Sequence, residues 1–159
     1  MVHIATSALL APDRTARPFS EGINPTGHSV LIVRDDGKSN HLLDVLCDFF
    51  GIGVEHVSSE EFLGPLLRES RPMAVIADVE GGGQDGFHVM MTVAAHDPAL
   101  PVLLLTSGDP ALLGAVDAVR EIWGLSHVTA MTDADGMGVM VDFLCQAARD
   151  TGMMRMMRI

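Results

Sequence analysis

The hydrophobic and polar positions alternate in blocks. Short apolar runs suited to strands are separated by stretches in which apolar residues return every three or four positions. Five runs read as strands: Val30 to Val33, Val54 to Val57, Met73 to Ala77, Val102 to Leu105 and Val128 to Met131. The third and fourth lack polar relief, as expected of strands buried on both faces of a parallel sheet. The second alternates weakly and reads as an edge.

Between them lie five helical patterns. Ser39 is placed to cap the first, whose apolar residues are Leu42, Leu43, Leu46, Cys47 and Phe50, with Gly51 and Gly53 ending it. Ser58 with Glu61 has the spacing of a capping box before Phe62, Leu63, Leu66 and Leu67, and Pro65 falls in an early turn. The third pattern, Gly86 to His96, turns Phe87, Met90, Val93 and Ala94 inward. Asp109-Pro110 is an N-cap and first-turn pair for the fourth, lined by Leu112, Leu113, Val116, Val119 and Trp123. Asp133 is placed to cap the last, through Arg149, whose face holds Met137, Met140, Val141, Leu144, Cys145 and Ala148. Strands alternating with helices over short loops predict a doubly wound α/β domain, a parallel sheet covered on both sides. All strand C-termini then meet at one rim, which gathers Asp35, Asp36, Asp78 and Thr106.

The flanks read differently. Residues 1–27 are punctuated by Pro12, Pro18, Pro25, Gly22 and Gly27 and read as a flexible arm, residues 28–150 as the domain, and residues 151–159 as a Met/Arg-rich tail ending MMRMMRI. The tail is a candidate contact strip, and a homodimer through the arm or tail is one use for it.

Composition narrows the function. The 159 residues suit one domain with a real core, and 48% are apolar. A net charge of -11 argues against binding nucleic-acid phosphates or an anionic membrane surface. There is no span-length apolar run, and the first residues lack a basic signal-peptide region, so a cytoplasmic protein is expected. Cys47 and Cys145 form neither a metal-ligand spacing nor a disulfide framework, and the seven histidines include no i, i+4 pair, which argues against zinc. Gly81-Gly82-Gly83 lacks the Lys-Ser/Thr of a nucleotide loop and reads as a linker.

From Ser29 to Arg149 the chain resembles the receiver domain of bacterial two-component response regulators. The resemblance rests on acids after the first strand, Asp78 ending the third, Asp85-Gly86 opening the third helix and Thr106-Ser107 ending the fourth strand. It implies a flavodoxin-like (βα)5 sheet of order 2-1-3-4-5. It implies that a histidine kinase or phosphotransfer protein donates a phosphoryl group to Asp78, with Mg2+ screening the charge. By the resemblance, Asp35 is the direct metal ligand, Asp78 the acceptor and second ligand, Glu80 a ligand through its backbone carbonyl, and Thr106 the switch hydroxyl.

The departures are as informative. Arg34 takes the first acidic position, Met131 that of the usual lysine and Thr132 that of the proline after it. Val128 (or His127, if the strand slips) replaces the switch aromatic. Arg34 has two readings. Its guanidinium enters the acidic cluster and pairs with Asp78 or Asp36, standing in for metal or lysine, or it points to solvent. The leading expectation is a stand-alone atypical receiver in a phosphorelay, a signalling protein and not an enzyme. Its output would pass to a downstream protein through the face of the fourth helix, fifth strand and fifth helix. Either Asp78 is still phosphorylated, or the domain is a pseudo-receiver that works by docking. The alternatives are a flavodoxin-like small-molecule binder, which lacks the aromatic residues to sandwich a flavin, and a structural oligomerisation module.

Overall fold

A computed structural model describes residues 29–34, 41–58, 62–79, 86–132 and 134–150. The arm, the tail, the loop bearing Asp35, Asp36 and Ser39, the loop bearing Glu80 and the three glycines, and the proposed caps Glu61 and Asp133 lie outside them. The described chain alternates strictly: β1 (Ser29–Val33), α1 (His41–Phe49), β2 (Gly53–Val57), α2 (Leu63–Ser70), β3 (Ala74–Asp78), α3 (Gly86–His96), β4 (Val102–Leu105), α4 (Pro110–Trp123), β5 (Val128–Met131) and α5 (Met137–Asp150). The strands form one parallel sheet of order β2-β1-β3-β4-β5, the flavodoxin-like order.

Side-chain alternation splits the core in two. Val30, Ile32, Ala74, Ile76, Leu103 and Met131 face α1 and α5. Leu31, Val33, Val75, Ala77, Val102 and Leu104 face α2, α3 and α4. The unbroken apolar runs of β1, β3 and β4 follow from this, since every position in them meets a helix layer. β2 takes an edge, with Glu55 and His56 exposed. At the head of α4, Asp109 accepts a hydrogen bond from the Ala111 N–H at 2.9 Å, with Pro110 beginning the helix.

Several local expectations fail. α2 starts at Leu63 with Phe62 as its N-cap residue and no side-chain cap, so Ser58 does not cap it. Pro65 needs no backbone donor in the first turn, which allows the helix to begin only two residues before it. Phe62, expected inward, is consequently exposed. Leu42 and Met137 are also turned outward, because the sheet covers a narrower arc of α1 and α5 than their apolar residues span. α5 begins at Met137, and a turn in which the Asp135 carboxylate accepts from the Thr132 N–H at 2.7 Å precedes it.

One glycine is required by packing. A Cβ on Gly86 would lie 2.8 Å from the Val79 Cα, and the Gly86 N–H donates to the Val79 carbonyl at 3.1 Å, so α3 starts hard against the end of β3. Gly86→Ala is expected to cost about 1–3 kcal/mol by forcing these backbones apart. Gly114→Ala, in open space on α4, should instead gain about 0.5–1 kcal/mol from helix propensity. Urea unfolding of the two variants checks the opposite signs.

Cys47 is fully buried, and burial, with the Asp44 charge second, pushes its thiol up to about 12. A raised folded-state value favours the folded protein below the ordinary thiol range, and this contribution is lost as pH rises toward 12. With no tyrosine and a single lysine, the chain has few other groups titrating there. Stability measured from pH 8 to 11 should fall, with a shallower slope in Cys47→Ala.

Candidate functional site

Strand register brings the site together. Val33 pairs with Ala77, so the next residues along the two parallel strands, Arg34 and Asp78, lie side by side. Asp78 pairs with Leu105, and Leu105 with Met131. The C-terminal rim thus carries a cross-strand row of Arg34, Asp78, Leu105 and Met131. The alternation of β3, in which Ile76 faces the α1/α5 layer, turns Asp78 the same way. Arg34 is held in the extension of β1 by its N–H, which donates to the Val57 carbonyl at 3.4 Å.

Within this row Arg34 Nε donates to Asp78 Oδ2 at 2.9 Å. The two side chains are only 16% and 14% exposed, which places the pair well inside the rim and takes it out of the class of solvent-screened surface pairs. Arg34 Nη1 is buried and has no hydrogen-bond partner among the described residues, so within them the guanidinium is tied down on one edge only. Of the two readings of Arg34, the structure takes the one in which it enters the cluster, and Asp78 is its partner.

The other half of the row is apolar. Met131 is buried, and with Leu105 it packs in the cluster that includes Met140 and Phe143. At the position where the receiver resemblance expects a lysine, the chain supplies core. No charge from β5 reaches Asp78, and this wall lowers the local dielectric in which the ion pair sits.

Thr106 lies at the same rim, buried, one residue beyond the partner of Asp78. Its Oγ1 accepts from the Gly108 N–H at 3.1 Å, so the hydroxyl oxygen is engaged within its own loop. Gly108 has a φ of +93°, and a Cβ there would meet Thr132 Cγ2 at 3.1 Å. Thr132 is itself held by Asp135. The loops after β4 and β5 therefore touch, a link that neither loop announces by itself, although the Thr132 to Asp135 spacing is a readable turn signal.

Asp35, Asp36 and Glu80 lie outside the described residues, so of the predicted metal set only Asp78 is placed. A dication bound to the Asp78 carboxylate would meet at close range the Arg34 guanidinium that is already hydrogen-bonded to it, and like charges there repel.

A family profile described as flagellar regulatory protein FleQ matches residues 29–128. No curated protein sequence matches the chain. Similar solved structures include a response regulator receiver protein from Sinorhizobium medicae (18% identity, TM-score 0.60, covering 79% of this chain and 97% of that one). A receiver protein from Pseudomonas putida is also similar (20%, 0.57, 77% and 99%), as is the chemotaxis response regulator CheY4 of Vibrio cholerae (19%, 0.56, 79% and 99%). At these identities the likeness is one of fold: this is the receiver architecture. No described helix is long and apolar enough to cross a membrane.

Breaking the pair should be costly. In a double-mutant cycle of Arg34→Met and Asp78→Ala, urea unfolding is expected to give a coupling of about 1–3 kcal/mol that persists at 1 M salt. A coupling of a few tenths, erased by salt, would mean that solvent screens the two charges.

Proposed function

As the chain belongs to the flagellar regulatory protein FleQ family, we propose that it is a receiver-type signalling module of that regulatory setting whose phosphorylation centre has been replaced by an internal ion pair. It works by binding other proteins and is not an enzyme. The observation that carries this reading is the 2.9 Å contact between Arg34 Nε and Asp78 Oδ2.

The chemistry follows from that contact. A carboxylate attacks a phosphoryl donor with an oxygen lone pair, and the incoming anion is tolerated only where cations screen it. Here one oxygen of Asp78 already accepts from Arg34, and the neighbouring guanidinium repels Mg2+. The apolar Met131 supplies no second cation. A neutralised rim also resembles a receiver whose acceptor charge has been dealt with permanently, which suits a domain that presents one docking surface at all times.

In this reading the upstream partner is a histidine kinase or phosphotransfer protein, or a relative of one that docks without transferring its phosphoryl group. The downstream partner is a protein that meets the α4–β5–α5 face, where Ile122 is 75% exposed and β5 is half-buried at the sheet edge. We place the protein in the cytoplasm on the same grounds. The small-molecule alternative finds no support at the rim, since Trp123 packs on the core through α4.

The test is incubation with acetyl phosphate, or with a beryllofluoride complex, and Mg2+, read by intact mass and amide NMR. Unmodified protein with unshifted rim resonances is expected. Arg34→Asp should raise Mg2+ affinity at least tenfold and permit an adduct that Asp78→Ala abolishes. A single phosphoryl group on the natural sequence, lost in Asp78→Ala, would overturn the proposal in favour of a functioning phosphoacceptor.

A further inference from the structure

α1 is apolar on two faces. Leu43, Leu46 and Cys47 are buried against the sheet. On the outside, Leu42 is 39%, Val45 48% and Phe49 79% exposed, and their spacing of three and four residues sets them in one stripe. Phe49 is steadied by Phe50, edge to face with ring centroids 5.3 Å apart. One exposed apolar side chain needs no explanation, but three in a row on a nine-residue helix form a patch that asks for cover.

The fold shows what lies within reach. α1 and α5 share one side of the sheet, where Leu46 and Cys47 pack in the same cluster as Leu144, Ala147 and Ala148. Each helix returns the chain between parallel strands or leaves the last one, so both run against the strand direction and end at the same rim, opposite the Arg34–Asp78 pair. Phe49 and Asp150 therefore lie at one end of the molecule. From Asp150 the chain continues through Thr151 and Gly152 into Met153-Met154-Arg155-Met156-Met157-Arg158-Ile159.

The chemistries match. Asp48 borders the exposed stripe, Asp44 being turned to β2, where it meets His56 Nε2 at 3.5 Å, and the last turn of α1 has no basic residue; the tail has Arg155 and Arg158 among four methionines and an isoleucine. Methionine is unbranched and adapts to irregular apolar surfaces. From Leu42 to Phe49 the helix rises about 10 Å, and seven extended residues span up to about 25 Å, enough to turn back at Gly152, cross to the neighbouring helix and cover the stripe.

We propose that residues 153–159 fold back onto α1, with methionines on Leu42, Val45 and Phe49 and an arginine beside Asp48. Tethering raises the effective concentration of the tail into the millimolar range, so it occupies the stripe ahead of a second copy of the chain. This inference is independent of the state of Asp78.

The test uses the full chain labelled with 13C at the methionine methyl groups. At least one methyl among Met153, Met154, Met156 and Met157 is expected to show an upfield ring-current shift and a cross-peak to the Phe49 ring, both unchanged on tenfold dilution and lost in Phe49→Ser. In the full chain, Arg155→Glu with Arg158→Glu should weaken the same signals, and hydrogen exchange at α1 should quicken several-fold. All four methyls at random-coil positions in the natural chain would overturn the proposal. Contacts that vanish on dilution would overturn it as well, assigning the stripe to a second copy.

Discussion

An arginine and an aspartate in register on adjacent parallel strands, at a rim walled by leucine and methionine, have little choice but to pair. Arg34 and Asp78 are brought together by the β1–β3 ladder and not by a loop, so the contact inherits the rigidity of the sheet. It pairs the carboxylate with a positive charge fixed to the sheet, and it leaves Arg34 Nη1 buried without a hydrogen-bond partner among the described residues. An ionic contact of this kind stabilises little over a well-packed apolar pair, yet losing either member would strand a charge in a poorly hydrated place.

The apolar half of the row gives the pair its setting. With Met131 in the core and Thr106 hydrogen-bonded to Gly108, the β4 and β5 ends of the rim are occupied by packing and turn geometry. Gly108 and Thr132 lie so close that a side chain at Gly108 would press on Thr132.

The helix layer beside the rim has a different character. α1 runs from this rim to the opposite one and exposes Leu42, Val45 and Phe49 along its outer side. Only its far end, at Phe49, is separated from the ion pair by the height of the sheet.

The period of the hydrophobic pattern determined the layering, since runs buried on both faces, separated by helix-period segments and short loops, call for a parallel sheet between helices, while the strand order came from the likeness to receivers. The pattern also found Asp78 and Thr106, because strand ends in such a sheet share a rim, and the same likeness drew Arg34 into the site. It could not choose between a paired and a solvated Arg34. That depended on the register of β1 against β3, which arises from contacts between residues some forty positions apart. Nor could it tell which apolar residues of α1 face inward. Leu42 and Leu43 are equally apolar in the sequence, and only the arc that the sheet covers on the helix buries one and exposes the other. Local composition sets which elements form; the relative placement of distant elements decides which charges meet and which surfaces stay open.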